Sequence, residues 1–257
     1  KILFMREPPS ILSKVWNKKN HTYFDKIYTY DDTLVDNVKY FKFYEPNRNT
    51  EIIISKKKIN KISMFSSNKY AYSNNELYSK RKDIIYWFEK NKHKDLDLYG
   101  KGWDQSLFEN IFFKPLNRFQ DNKFFKFIKK NDLKTYRCFV KNKKEMLRKY
   151  RFSFCLENSI INGYITEKIF DCLYAGVIPL YLGAPNINNY VNKNCFIDLR
   201  KFNSMSALHN YIFKMSDNDY QGYLNNAKKY FNSSKPKYFS VKYCIDHFIS
   251  IFKENCN

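Results

Sequence analysis

Glycine is scarce in this chain, six in 257 residues. So sparing a use implies that each sits where the backbone needs its freedom, and Gly100-Lys101-Gly102, like Gly176 followed by Gly183, is expected to mark turns. The six cysteines form no CxxC pair and no Cys/His cluster with zinc-ligand spacing, which excludes a zinc module. All six read as buried free thiols, Cys155 and Cys172 lying within apolar runs. No stretch approaches the ~20 apolar residues of a membrane span, and the opening KILFMREPPS carries too short an apolar run for a signal peptide. Acidic residues are also short: 25 Asp and Glu stand against 46 Lys and Arg, a formal net charge of +21. That balance favours anionic partners, whether nucleic acid, membrane surface or phosphorylated ligand, without choosing among them. Lys, Asn, Ile and Tyr are abundant throughout, as an AT-rich coding sequence produces, and this accounts for much of the excess.

What the chain does have is ring area. Aromatics make up 19%, with 24 Phe and 22 Tyr, and apolar residues 44% in all, which excludes a disordered chain. Residues 2–5 read as a buried strand stopped by Pro8 and Pro9, with Glu7 at its exit. Further strands are expected near 24–30, 40–44 and 61–65, the lysine-rich 47–60 being a linker. Leu77, Ile84, Ile85 and Phe88 keep helical spacing, and 95–99 alternates like a strand. Residues 104–140 form a Lys- and Phe-rich insertion of no assigned structure. A helix over 143–150, a strand over 152–156, a helix over 166–175 and a strand over 177–181 then make a β-loop-α-β unit, hence a parallel pair with a right-handed crossover. Amphipathic helices follow near 204–215, 217–231 and 241–253. The fold class is α/β.

The chemistry concentrates in residues 152–185, FSFCLENSIINGYITEKIFDCLYAGVIPLYLGAP, whose polar positions fall at a strand exit or in the first helical turn. Ligands of open α/β sheets sit beyond the strand C-termini, where a helix N-terminus offers free N–H groups to a phosphate. Lys168 adds a charge there, Glu167 can accept from a ribose diol, Asn158 can donate or accept, and Tyr164 can stack. Singly, each has a bland alternative: Thr166 as an N-cap, Glu167 as a dipole-complementing acid, Lys168 as a solvated cation, Glu157 as a surface carboxylate. Their combination is what points to a nucleotide.

The run ENSIINGYITEKIFDCLYAGVIPLYLGAP, residues 157–185, strongly resembles the donor-site signature of the family-10 glycosyltransferases, the α1,3/α1,4-fucosyltransferases. Weaker resemblance extends through REPPS at 6–10, FDKIYTYDDTLVD at 24–36, SSNKY at 66–70, the Arg81 helix and LYGKGW at 98–103. The resemblance implies a GT-B architecture, two Rossmann-like domains facing across a cleft. Residues 1–60 are then expected as the acceptor-side domain, incomplete or minimal because the family has further β-α units before this strand. Residues 61–238 would bind GDP-fucose, and 239–257 would be a helix packing back toward the first domain. Carried over by position, Arg81 and Lys168 would neutralise the diphosphate and Glu167 would hold the ribose. Asn158, Tyr164, Ser67 and Asn68 would line the donor pocket, and Glu7 would be the general base, with Glu157 next in line. Here Glu-Pro-Pro stands where the family has Glu-Ser-Pro.

The resemblance implies an inverting fucosyl transfer from GDP-fucose to a hydroxyl of an acceptor glycan, α1,3 on an N-acetylglucosamine-containing glycan, with another GDP-sugar or a protein acceptor as the alternative, and with no metal or other cofactor. Two letter matches to a metal-binding DxD, Asp95-Leu-Asp97 and Asp217-Asn-Asp219, read instead as carboxylates sharing one strand face and as a helix start. The contrasting class is a basic nucleic-acid-binding protein, suggested by runs such as Phe124-Phe-Lys-Phe127, but the lysines are spread without a recognised module, so no specific nucleic acid is expected. Acceptor identity and compartment are left open.

Overall fold

The apolar runs near the N-terminus pair into a parallel sheet of β1 (Ile2–Met5), β2 (Lys26–Thr29) and β3 (Tyr40–Lys42), in that spatial order. A short helix, α1 (Lys18–His21), precedes β2. The computed structural model describes residues 1–48, 51–55, 57–104 and 133–255, so most of the expected insertion lies outside the described residues.

A second sheet contains β4 (Ile59–Phe65), β5 (Leu96–Tyr99), β6 (Tyr136–Cys138), β7 (Tyr150–Leu156), β8 (Ile178–Leu182) and β9 (Ile197–Asp198). All pairs are parallel and the order is β6-β5-β4-β7-β8-β9, the 3-2-1-4-5-6 order of a doubly wound nucleotide-binding sheet. The helices are α2 (Tyr78–Asn91), α3 (Lys143–Leu147), α4 (Glu167–Tyr174), α5 (Met205–Phe213), α6 (Asp217–Phe231) and α7 (Val241–Asn255).

Parallel strands covered on both faces must be apolar on both, and β8 is buried at every residue, β7 at all but Arg151. The period of two then sorts them. Phe152, Phe154, Leu156, Ile178 and Leu180 join α2, α5 and α6 in one core, while Cys155 and Tyr181 join Ile169, Phe170 and Leu173 of α4 in the other. Each such buried side chain contributes about 1.5–3 kcal/mol. Helix α7 returns to the first sheet, where Phe248 and Ile251 pack with Phe4, Tyr28 and Phe43.

Three local readings change. Tyr150 opens β7 instead of closing a helix, because its ring is pinned in the core, its hydroxyl bonded to Tyr99 at 2.6 Å and to Asp97 at 2.8 Å. The described residues of 47–60 are packed on the second sheet's lobe: Ile53 N donates to Tyr174 O at 2.8 Å, and Lys58 Nζ reaches the carbonyls of Arg148, Tyr150 and Ala175 at 3.0, 3.2 and 3.1 Å. Burial pushes the Lys58 ammonium down to about 8. Not all the cysteines are buried: Cys155, Cys172 and Cys195 are, Cys244 is half-buried and Cys138 exposed, all five free. Among the described residues no helix is long and apolar enough to cross a membrane.

Candidate active site

The strand order reverses between β4 and β7, and a crevice opens at their C-terminal ends, as the topology requires. A narrow cavity of about 20 Å³ there is lined by Met64 to Ser66, by Ser153 to Leu156, and by three cations, Arg81, Lys143 and Lys168. It has room for about one water, so the cations define the site more than the void does.

Glu157 organises this crevice. It follows the last residue of β7 and is fully buried. Its carboxylate accepts from Thr166 N at 2.9 Å, Thr166 Oγ1 at 2.7 Å and Lys168 Nζ at 2.9 Å, so it closes the chain onto the start of α4. Gly183 makes the room, since a β-carbon there would lie 2.5 Å from Glu157 Cγ. Its bland alternative as a surface carboxylate is thus ruled out, and with every bond turned inward it is not placed to meet an acceptor as a base.

Arg81 sits in the first turn of α2, whose start is docked on the same loop by Leu77 N to Asn158 O at 3.0 Å. Its Nη2 donates to Leu156 O at 2.9 Å, Glu157 O at 2.7 Å and Asn158 Oδ1 at 3.0 Å, and its guanidinium lies 4.7 Å from the Tyr78 ring centroid. Burial lowers its pKa. Lys168 differs. Burial opposes its charge, but the Glu157 and Glu167 carboxylates outweigh that and raise its ammonium. Lys143 is similarly held by Asp171, Nζ to Oδ2 3.0 Å. Both lysines are therefore internally paired, whereas among the described residues Arg81 bonds only neutral oxygens.

The first lobe closes over this loop. Ser10 Oγ meets Ser159 Oγ at 2.7 Å, and the Tyr30 and Tyr164 rings lie 4.4 Å apart. Glu7 is exposed, and its charge reaches Tyr30, Tyr78 and Tyr164, all held above the usual phenol range chiefly by burial. Arg81 and Lys168 act on Tyr78 as well, so the charges of the three expected catalytic groups all reach one phenol. Asn158 Nδ2 donates to the Tyr164 hydroxyl at 3.3 Å, joining two more of the expected residues to Arg81.

Others fall differently. Glu167 is exposed on the first turn of α4. Ser67 lines a second cavity of about 170 Å³ with Phe65, Tyr99, Phe139 and Lys143. Asn68 instead spends its Nδ2 on Gly102 O at 3.0 Å and lines neither cavity. Asp95 and Asp97 do not share a face. Asp95 ends a 3-10 turn and bonds His209 at 2.8 Å, while Asp97 in β5 takes Lys61, Arg137 and the Tyr150 hydroxyl. Asp219 accepts from the Ser216 hydroxyl, the N-cap of α6, as a helix start implies.

Residues 55–247 match the family described as glycosyltransferase family 10 (fucosyltransferase), C-terminal region, and so include both β4 and the whole Glu157 to Pro185 run. The chain belongs to that family. This family-10 chain is 38% identical over 73 residues to the α-(1,3)-fucosyltransferase FucT of Helicobacter pylori, covering 28% of this chain and 15% of that one. It is 35% identical over 103 residues to the 4-galactosyl-N-acetylglucosaminide 3-α-L-fucosyltransferase 9 of Mus musculus, 38% of this chain and 28% of that one. Over 76 residues it is 38% identical to the GDP-fucose protein O-fucosyltransferase 3 of Xenopus tropicalis, 29% of this chain and 16% of that one. The matched regions thus span well under a third of these relatives. In structure it resembles an α1,3-fucosyltransferase crystallised with GDP-fucose, at a TM-score of 0.52 and 18% identity over 87% of this chain and 65% of that one. The same fold seen with GDP gives 0.55 and 16%, covering 98% and 74%. These likenesses establish the GT-B fold of the family-10 chain, two α/β lobes with parallel sheets.

Between the lobes lies a clasp that the sequence did not single out. Asp32 after β2 accepts from Lys42 Nζ at 2.6 Å, Asn186 Nδ2 at 2.6 Å and the Tyr190 hydroxyl at 2.7 Å. Asn186 Oδ1 in turn accepts from Gly163 N at 2.8 Å, and a β-carbon at Gly163 would strike the Tyr30 carbonyl and Lys42 ammonium. Burial works against the Asp32 charge, yet the bonds from Lys42, Tyr190 and Asn186 hold its carboxyl below the usual range. A depressed carboxyl stabilises the fold above its unfolded pKa of about 3.9, and that contribution is lost as pH falls through the folded value. Burial lowers Lys42 too, which matters only on the alkaline side. Asp32→Asn is therefore expected to cost about 2–3 kcal/mol at neutral pH and to flatten the loss of stability between about pH 5 and pH 3. Thermal melts across that range check it; parallel wild-type and variant curves would contradict it.

Proposed function

We propose that this family-10 chain transfers L-fucose from GDP-fucose to an acceptor hydroxyl with inversion. The observation that supports the reading is the pair of cations, Arg81 and Lys168, lining the crevice at the topological switch point, on whose loop the first lobe docks through Ser10, three residues after Glu7.

The acceptor oxygen attacks the anomeric carbon while the bond to the β-phosphate breaks, and GDP leaves with the electron pair. Negative charge grows on the departing phosphate, where Arg81 offers the strongest response because no carboxylate of the described residues already holds it. Its planar fork can bind two phosphate oxygens at once. Lys168, backed by Glu157, supplies a second donor on the start of α4. With two cations beside the diphosphate, the reading needs no metal. Glu7 takes the acceptor proton from the face opposite the departing GDP, which makes the displacement a single inverting step. Asn158 and Tyr164 would form the wall, and Glu167, exposed beside Lys168, would hold the ribose.

For the acceptor, the names of the H. pylori and mouse relatives favour α1,3 transfer to an N-acetylglucosamine-containing glycan. The Xenopus relative makes a protein hydroxyl the second choice. GDP-fucose supplied with a panel of glycans and peptides separates the two.

GDP is expected to raise the melting temperature in the presence of chelator, whereas an oligonucleotide, the partner a +21 charge alone would favour, is not. Lys168→Ala should weaken GDP binding. It also strands the buried Glu157, at a cost of about 3–5 kcal/mol, so Lys168→Met/Glu157→Gln separates lost charge from lost stability. Calorimetric titration reads both; binding abolished by chelator, or untouched in the double variant, would sink this donor site.

A further inference from the structure

Lys143 opens α3, outside the run that carries the family's donor signature. Its side chain lines both cavities at the strand ends: the narrow one where Arg81 and Lys168 converge, and the wider one of about 170 Å³ bounded by Phe65, Ser66, Tyr99 and Phe139. Among the described residues it is the one charged residue lining the wider cavity, and the one cation common to the two. Asp171 anchors the ammonium at 3.0 Å and is itself reached by Asn47 Nδ2, from the crossing between lobes, at 3.4 Å. About a third of the Lys143 side chain stays exposed, 35%, so the anchor orients the ammonium without enclosing it.

We propose that Lys143 is a third donor-site cation, and that it holds the phosphate next to the nucleoside while Arg81 and Lys168 hold the phosphate bonded to the sugar. The inference rests on the donor reading above. Its logic is positional. An aromatic-walled cavity with hydroxyls from Ser66 and Ser67 suits a base and its sugar. The group joining a nucleoside there to a phosphate between Arg81 and Lys168 must pass the boundary between the cavities, where Lys143 stands. A doubly negative diphosphate also needs more than Arg81, because the charge of Lys168 is already shared with Glu157.

The test compares guanosine, GMP and GDP in competition binding to the wild type, Lys143→Met and Arg81→Lys. Lys143→Met should weaken GMP and GDP alike, by about tenfold, the scale of one charged hydrogen bond, and leave guanosine unchanged. Arg81→Lys should weaken GDP more than GMP. Unchanged GMP and GDP affinities in Lys143→Met would overturn the proposal, as would an equal loss for guanosine, which would make Lys143 a base contact. Should Lys143→Met fail to fold, Lys143→Met/Asp171→Asn carries the same comparison, since it leaves no lone carboxylate buried. A wild type that binds none of the three would overturn the donor reading itself; one that binds GDP while Lys143→Met is silent removes Lys143 alone.

Discussion

Glu7→Gln is expected to bind GDP-fucose as the wild type does and to transfer fucose ~100-fold more slowly or worse, the usual scale for losing a general base. The amide keeps the size and a hydrogen-bonding oxygen but cannot take a proton. Two features of the structure sharpen this expectation. Glu7 is exposed and its carboxylate bonds no described residue, so the substitution should change stability by no more than about 0.5 kcal/mol. The alternative base, Glu157, is fully buried and committed to Thr166 and Lys168, so it cannot take over. Single-turnover transfer measured beside GDP-fucose affinity decides the matter. Transfer near the wild-type rate would move the base out of β1's exit, to a group that the second lobe or the insertion provides.

The second large effect belongs to Arg81. Arg81→Ala should lower kcat by about 10²–10³-fold, with a smaller change in GDP-fucose affinity, because the charge it meets is greatest when the sugar–phosphate bond is breaking. The same guanidinium pins the carbonyls of Leu156 and Glu157 and the Asn158 side chain. Removing it leaves those oxygens wanting a donor in a buried loop, so about 1–3 kcal/mol of stability should go with the activity. Arg81→Lys distinguishes the two roles. It restores the charge but not the fork, so melting temperature and kcat should recover only in part, and separately. Wild-type kcat from Arg81→Ala at saturating donor would reduce Arg81 to a structural cation.

Much of this molecule follows from local pattern. Alternating and continuous apolar runs located β1, β2, β7 and β8, the 3.6-residue period located α2, α4 and α6, and one contiguous segment, 157–185, carried Asn158, Tyr164, Glu167 and Lys168. These are legible because their residues interact with near neighbours in sequence, so spacing alone constrains them. Tyr150 shows the limit: helical spacing held up to it, and only the Tyr99 hydroxyl and the Asp97 carboxylate, about fifty residues upstream, made it a strand residue.

What the tertiary structure decided is which charges meet. Periodicity tells which face of an element is buried but not what covers it. Lys143 was one of 46 basic residues until the strand order brought it beside Arg81, and Asp32 was one acid of a pair until β8's exit loop delivered Asn186 and Tyr190 to it. Taken alone, Glu157 could as well have been a surface group, because glutamates usually are. Only the crossover that places Thr166, Lys168 and the bare α-carbon of Gly183 around it supplies enough bonds to offset the cost of burying its charge.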